Sequence, residues 1–371
     1  MITRKEFLQT LAGAAASSLV PASALASAAA GSRATSPAPG AASPGKIRRG
    51  VTFYSYQDEL VLHQMSIEDC VAAVADLGTD GVELIGEEGI PNFPDLSDRW
   101  VAQWFEWMDK YHTRPICYDL CYDSNLISGR SLTLKESKDI VVRDLKIANK
   151  LGFKIVRAQR TIPADVMEAC VPDAEKYDVR MCPEIHAPVL LSSSWLDPYL
   201  EVINRTKTKN IGFVVDFGIF VKRPPRVQGG WFVRHGAHEQ IAKYVETSYE
   251  NKQPKDITLA EVTKMGGNDE DRRWVNGAYS YSNNDPKDLL KFSQYIYHTH
   301  AKFYEMTDQY QEYSIPYDEI IAVLTEAGYS GYLSSEYEGQ RHINDIMEAN
   351  AVEQVRRQHV MLRKLLGESE T

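Results

Sequence analysis

The sequence lacks the long apolar runs and paired cysteines that mark membrane proteins and disulfide-rich proteins. Beyond the N-terminal region, no apolar run reaches the roughly 18 residues that a membrane span needs, so we expect none in the mature chain. Cysteine accounts for 5 of 371 residues, an odd number with no CxxC spacing. Export would permit a disulfide. We nevertheless interpret the cysteines as buried free thiols, because Cys117, Cys121 and Cys182 lie within predicted strands.

Basic residues are scarce in the body of the chain. Residues 1–49 contain six of the 41 Lys and Arg and one of the 51 Asp and Glu, which leaves 35 basic and 50 acidic residues for the remainder. Such an excess of negative charge repels phosphate backbones, so we expect no nucleic acid partner. The hydrophobic content of 43% is ample for a folded core and argues against disorder.

The N-terminal segment has the layout of an export signal. Arg4 and Lys5 precede an Ala- and Leu-rich stretch that ends in the small-residue sequence Ala24, Leu25, Ala26. The segment "TRKEFLQ" is similar to a twin-arginine signal, with an Arg-Lys pair in place of two arginines. We predict a signal peptide over 1–30, a flexible linker over 31–48 and a periplasmic location. An uncleaved helical anchor or a disordered tail is the alternative.

After the linker, strand-like and helix-like segments alternate to the end of the chain. Eight segments have strand character, from "RGVTFYSYQ" at residues 49–57 to "GYLSSEYEG" at 331–339. Each is followed by a helical pattern, the first with a Ser66–Asp69 capping box and the last predicted over Asn344 to Leu366. This alternation predicts an α/β protein, a parallel (β/α)8 TIM barrel spanning 49–371, with an open doubly wound sheet as the alternative.

The spacing of polar strand ends reveals a long insertion in the sixth βα loop. Asp216 and His300 are 84 residues apart, whereas Glu184 and Asp216 are separated by 32 and His300 and Glu336 by 36. The extra residues occupy about 222–290, and in a barrel this loop lies on the face that carries the active site. We therefore expect a lid or a partner surface there, for a second subunit or a second copy of the chain.

Four consecutive strands end in residues that could bind a metal. Glu184, Asp216, His300 and Glu336 stand near the carboxyl ends of strands five to eight, which converge at one mouth of a parallel barrel. Three buried carboxylates would repel one another without a cation between them. This oxygen-rich set suits Mn²⁺, Mg²⁺ or Co²⁺, with Mn²⁺ preferred and Zn²⁺ possible.

The order and context of these residues resemble the xylose isomerase-like barrels of the sugar phosphate isomerase/epimerase superfamily. The resemblance covers Arg49 to Leu366 and includes "HAKF" on strand seven and "SEYEG" on strand eight. It implies that the four residues are metal ligands and that His186, in an E-x-H arrangement, contacts substrate oxygens. Phe303 replaces an acid that is frequent in the family, and the long insertion is absent from its compact sugar epimerases.

Other polar residues at the predicted mouth are candidates for substrate binding. His298 and Lys302 share a strand face with His300 because strand side chains alternate with a period of two. Glu83 ends strand two, and Arg157 and Gln159 end strand four. The alternatives are a core histidine for His298, a pair with an acid for Lys302 and a structural carboxylate for Glu83.

The resemblance implies proton abstraction beside a sugar carbonyl through an enediolate, with a divalent metal on the substrate oxygens. Glu184 and Glu336 would remove and return the proton, and His186 would orient or protonate an oxygen. The expected enzyme is thus an isomerase or epimerase. A lyase that eliminates the substituent of a 3-keto-glycoside, as in C-glycoside deglycosidase catalytic subunits, is the alternative. A non-catalytic carbohydrate-binding protein is a third reading.

Overall fold

A computed structural model describes residues 46–158 and 162–368 of the chain. The predicted signal peptide, the linker up to residue 45 and the pocket candidate Gln159 lie outside the described residues. Arg48, predicted as the last linker residue, is already the first residue of β1. No helix in the described ranges is both long and apolar enough to cross a membrane.

Eight parallel strands close into a barrel in chain order, which confirms the predicted TIM barrel. The first strand pairs with both the second and the eighth, so the open-sheet alternative is wrong. The inward side chains fill the barrel, and those at the carboxyl ends form the mouth. The strands are β1 (Arg48–Thr52), β2 (Gly81–Ile85), β3 (Arg114–Leu120), β4 (Ile155–Ala158), β5 (Arg180–Ile185), β6 (Phe213–Asp216), β7 (Ile296–Phe303) and β8 (Tyr332–Tyr337).

Thirteen α-helices are present in the described residues, and most pack around the barrel. The predicted capping box at Ser66 and Asp69 is confirmed, and Thr133 and Glu136 form a second one. The helices are α1 (Gln57–Val61), α2 (Ile67–Asp76), α3 (Gly86–Gly89), α4 (Asp98–Tyr111), α5 (Leu134–Lys150), α6 (Ala164–Tyr177), α7 (Asp197–Thr206), α8 (Arg226–Arg234), α9 (Glu239–Glu250), α10 (Lys255–Lys264), α11 (Asp269–Ala278), α12 (Tyr317–Glu326) and α13 (Ala351–Leu365).

Two segments and the exposure of one cysteine differ from the sequence prediction. β1 stops at Thr52, whose hydroxyl accepts the Tyr54 N–H and begins a 3₁₀ turn where more strand was expected. The terminal helix begins at Ala351, seven residues after the predicted start, because the Asn350 side chain caps it by accepting the Glu353 N–H. Cys121 follows β3 and is exposed, which corrects its expected burial.

The insertion between β6 and β7 folds into four helices, α8 to α11, with a hydrophobic cluster of their own. Trp274 is fully buried at the centre of this cluster and donates its indole N–H to the Ala242 carbonyl at 3.3 Å. The helices pack apolar side chains against one another. The buried members are Phe232, Ala237, Ile241, Ala242, Val245, Val262, Trp274, Val275 and Ala278.

A buried histidine joins α13 to the barrel wall. The Arg49 guanidinium donates to His359 Nδ1 at 2.8 Å, so Nε2 carries the ring proton and donates to Ser335 Oγ at 2.9 Å. Burial, assisted by the charge of Arg49, lowers the pKa of His359 well below its ordinary value. The folded protein therefore holds this imidazole neutral at pH values where the unfolded chain protonates it.

We predict that this histidine makes the protein less stable in acid. Its contribution is complete above pH 6.5 and is lost as the pH falls, at up to about 1.4 kcal/mol per pH unit. In urea unfolding at pH 7.5, 5.5 and 4.5, wild type should lose more stability than His359→Gln, which keeps both hydrogen bonds but cannot be protonated. Parallel stability curves for the two proteins would contradict this assignment.

Candidate active site

The structure brings Glu184, Asp216, His300 and Glu336 together at the mouth of the barrel. Each residue offers one ligand atom, and these atoms lie within 4.8 Å of one another. The strand register explains the convergence, since Asp216 pairs with His300 across β6 and β7, and Lys302 pairs with Glu336 across β7 and β8. All four side chains are buried, with 3% or less of the residue surface exposed.

The donor atoms of this cluster fit a divalent cation. His300 Nδ1 lies 2.9 Å from Glu184 Oε1 and 3.3 Å from Glu336 Oε2. These three atoms and Asp216 Oδ2 are buried without a hydrogen bond of acceptable geometry to any described residue. Buried polar atoms are normally satisfied, and a divalent cation is a suitable further partner for these carboxylate oxygens, of which Asp216 Oδ2 also lies 2.8 Å from Lys302 Nζ. Three carboxylates and one imidazole suit a hard cation such as Mn²⁺.

Two protein cations also balance the carboxylates. The Arg157 guanidinium donates to Glu184 Oε2 at 2.6 Å, and Lys302 Nζ lies 2.8 Å from Asp216 Oδ2 and 3.3 Å from Glu336 Oε2. Burial opposes the charge of Lys302, but Asp216 and Glu336 outweigh it and raise its pKa well above the ordinary value. Likewise, burial would raise the pKa of Glu336, but Lys302 and His300 lower it. The ionised Glu336 carboxylate thus faces an ammonium group, whereas burial raises the pKa of Asp216 to about 7.

His186 is positioned beside this ammonium group, just after the end of β5. Its Nδ1 lies 2.7 Å from the Ala187 carbonyl oxygen, which can only accept, so Nδ1 carries the proton. Its Nε2 lies 2.9 Å from Lys302 Nζ and accepts a hydrogen bond from it. The lone pair of the imidazole Nε2 therefore faces the Lys302 ammonium group, and a proton could pass between the two nitrogen atoms.

Glu83 and His298 lie beneath the cluster, inside the barrel. Glu83 Oε1 is 2.7 Å from His300 Nε2, Glu83 Oε2 is 2.9 Å from His298 Nε2, and the Ser334 hydroxyl also donates to Oε2. Burial would raise the pKa of Glu83, but His300 and His298 hold it well below the ordinary value. Glu83 is fully buried and directs the Nε2–H of His300 away from the cluster, leaving Nδ1 towards it.

The structure adds Asp119 and Glu338, which the sequence interpretation missed. Asp119 lies near the end of β3, with Oδ1 4.0 Å from His300 Nε2. Glu338 lies two residues after Glu336 and is 3.4 Å from Lys302 Nζ. A signal was present for Asp119, because it is an acid at the end of an apolar strand, like the four residues of the cluster. The second Glu of "SEYEG" gave no comparable signal.

Curated relatives are similar along most of the chain. A 3'-dehydrocarminate deglycosidase alpha subunit from Microbacterium sp. is 29% identical over 339 residues, covering 87% of this chain and 96% of the relative. A C-glycoside deglycosidase alpha subunit from Arthrobacter globiformis is 27% identical over 330 residues, with 87% and 93% covered. The similarity thus extends over nearly the full length of both relatives.

Solved structures share the fold, and the sequence match gives the family. A D-psicose 3-epimerase has a TM-score of 0.53 at 13% identity, covering 86% of this chain and 100% of its own. A sugar phosphate isomerase/epimerase from Parabacteroides distasonis has a TM-score of 0.50 at 14% identity, with 88% and 96% covered. Residues 71–365 match the family described as xylose isomerase-like TIM barrel. The chain belongs to the xylose isomerase-like TIM barrel family.

Proposed function

We propose that this protein is a divalent-metal-dependent sugar-processing enzyme that removes a proton beside a carbonyl and eliminates the substituent of a 3-keto-glycoside. The observation that carries the proposal is the convergence of Glu184, Asp216, His300 and Glu336, whose ligand atoms lie within 4.8 Å of one another. The two deglycosidase alpha subunits support elimination as the outcome, since the similarity covers 87% of this chain in each case.

The four residues of the cluster would hold the cation, and we propose Mn²⁺. A divalent cation bound there supplies Lewis-acid polarisation of the sugar carbonyl and its neighbouring hydroxyl. Arg157 holds Glu184 through the 2.6 Å hydrogen bond, and Glu83 holds His300 through its 2.7 Å hydrogen bond. The protein thereby fixes the orientation of these two ligands before the substrate binds.

The remaining side chains carry the proton transfers. Glu336 or Glu184 takes the proton from the carbon between the carbonyl and the anomeric carbon, and the electrons of that C–H bond pass to the carbonyl as an enolate. Collapse of the enolate forms a carbon–carbon double bond and breaks the bond to the aglycone. The leaving atom takes a proton from the Lys302–His186 pair, whose nitrogen atoms are 2.9 Å apart. The products are the protonated aglycone and an unsaturated keto-sugar.

Epimerisation is the second candidate, and the presence of two carboxylates supports it. Glu184 lies on β5 and Glu336 on β8, so they approach a bound sugar from different strands. If one removes the proton and the other returns it to the opposite face, the carbon is inverted and no bond to a substituent breaks. The Arg157 and Lys302 cations would then serve only to bind and orient the sugar. A non-catalytic carbohydrate-binding protein would carry out neither reaction.

We also propose a second subunit and export to the periplasm. The relatives' designation as alpha subunits supports a partner chain. The helices α8 to α11 are the surface that we assign to it, because they form a separate packed unit beyond β6. The location rests on the sequence of residues 1–30 alone.

Product analysis separates these outcomes. The protein is purified under conditions that keep any second subunit attached. It is incubated with 3-keto-O-glycosides, 3-keto-C-glycosides and free ketoses, and the products are identified by NMR. We expect release of the aglycone together with an unsaturated keto-sugar. His186→Gln should slow release by about 100-fold or more, because a proton donor to the leaving atom is lost. Inverted ketoses without release would replace elimination with epimerisation, and recovery of every sugar unchanged would contradict both.

A further inference from the structure

We propose that Asp119 and Arg157 form a subsite that binds one hydroxyl group of the substrate and makes that hydroxyl a requirement for turnover. The inference rests on the proposed function, because it supplies a specificity determinant to the same mouth of the barrel. Asp119 on β3 and Arg157 on β4 are direct partners in the strand register. The fold therefore presents the two side chains next to each other at the carboxyl ends of neighbouring strands.

Each of these side chains has one polar atom left over. Asp119 Oδ1 and Arg157 Nε are both buried, and neither has a hydrogen bond to any residue in the described ranges. They lie 3.7 Å apart, too far for a hydrogen bond to each other. Other atoms of the same two side chains do have partners. Thr52 Oγ1 donates to Asp119 Oδ2 at 3.4 Å, and Arg157 Nη2 donates to Glu184 Oε2 at 2.6 Å.

The two unsatisfied atoms, Asp119 Oδ1 and Arg157 Nε, have complementary hydrogen-bonding roles. Arg157 Nε–H is a donor, and the lone pairs of Asp119 Oδ1 are acceptors. A hydroxyl group satisfies both at once, because its oxygen accepts from Arg157 and its proton is donated to Asp119. A carbonyl oxygen can only accept and an ammonium can only donate, so neither satisfies the pair. An oxygen about 2.8 Å from each atom fits their 3.7 Å separation.

The position of this pair places the hydroxyl close to the reacting carbons. Arg157 donates a hydrogen bond to Glu184, a proposed metal ligand, and Asp119 Oδ1 is 4.0 Å from His300 Nε2. A polyol bound at the cluster through its carbonyl would therefore have a neighbouring hydroxyl within reach of the subsite. Leaving two buried polar atoms unpaired is costly, so a site of this kind discriminates strongly against an analogue that lacks the hydroxyl.

The test combines substrate and protein changes. The kcat/KM of wild type, Asp119→Asn and Asp119→Ala is measured with the parent keto-glycoside and with its monodeoxy analogues, one hydroxyl removed at a time. For one analogue we expect wild type to lose about 100-fold or more. Asp119→Ala should turn over that analogue and the parent at similar rates, and Asp119→Asn, which retains an acceptor, should recover part of the preference.

Two outcomes would overturn the subsite. If Asp119→Ala slows the parent and every analogue by the same factor, Asp119 has only a structural role. If no single hydroxyl matters to wild type, water rather than substrate occupies the position. Calorimetric binding of the unoxidised glycoside, which has no carbonyl and cannot react, and of its deoxy analogues gives the same comparison without catalysis. A failure of the proposed reaction is thus distinguished from a failure of the subsite.

Discussion

Replacing Glu336 with Gln should abolish binding of the proposed divalent metal and lower kcat/KM by about 1,000-fold or more. The carboxylate is both a proposed ligand and a proposed proton carrier, and the amide can neither balance the cation's charge nor accept the substrate proton. Glu184→Gln should behave in the same way, because its Oε1 is another unsatisfied atom of the cluster. Metal content by plasma mass spectrometry and steady-state kinetics on the same preparations provide the measurement.

A buried carboxylate outside the site serves as the matched control. Asp144 is 1% exposed and lies on α5, and its hydrogen bonds in the described residues, from Arg143 at 2.7 Å and from Tyr118 at 3.2 Å, do not involve the cluster. Asp144→Asn should reduce stability while leaving metal content and kcat/KM close to those of wild type. If the control lost as much metal as Glu336→Gln, the metal loss would reflect unfolding, and the cluster would not be the binding site.

Replacing Glu83 with Gln will weaken metal binding by about 10- to 100-fold without removing any ligand. The carboxylate accepts from His300, His298 and Ser334, whereas an amide has one oxygen acceptor and presents an NH₂ group on its other side. If that NH₂ group faces His300, the ring proton moves to Nδ1, the atom 2.9 Å from Glu184 Oε1. The lone pair that should bind the cation is then lost.

Titration of the metal-free proteins with Mn²⁺ measures this effect directly. Activity of Glu83→Gln should recover in excess Mn²⁺, which a general loss of structure would not allow. His298→Gln is the matched comparison, because His298 shares Glu83 but has no contact with the carboxylates of the cluster within the described part of the chain. An unchanged Mn²⁺ affinity in Glu83→Gln, or an equal loss in both variants, would contradict a positioning role for Glu83.

The barrel and the cluster were predictable because both depend on local patterns. Apolar strands that end in a polar residue recur along the chain, 32 residues apart from Glu184 to Asp216 and 36 from His300 to Glu336, and parallel strands bring those ends together. The alternation predicts a parallel α/β fold, and the count of eight units favours the closed barrel over the open sheet. The four cluster residues followed from the same pattern, and the structure places them within 4.8 Å of one another.

Contacts across the barrel could not be read from the sequence. Glu83 and His300 are 217 residues apart, and no periodicity links β2 with β7. Because such contacts are not visible in the sequence, Glu83 and His298 were predicted to bind substrate, although the structure places them beneath the cluster. Asp119 is different, because the strand-end rule applied to it as well as to Glu184. The premature end of β1 depended on one side-chain contact, from Thr52 to the Tyr54 N–H.

The fate of one substrate hydrogen tests the central claim most directly. A 3-keto-glycoside carrying deuterium on the carbon between the carbonyl and the anomeric carbon is turned over in ordinary water, and the label is followed by NMR. We predict that wild type releases the label to solvent in every turnover, by elimination or by epimerisation, and that the metal-free protein and Glu184→Gln release almost none. Aglycone release with the deuterium fully retained in the sugar would show hydrolysis without C–H cleavage and would contradict the account.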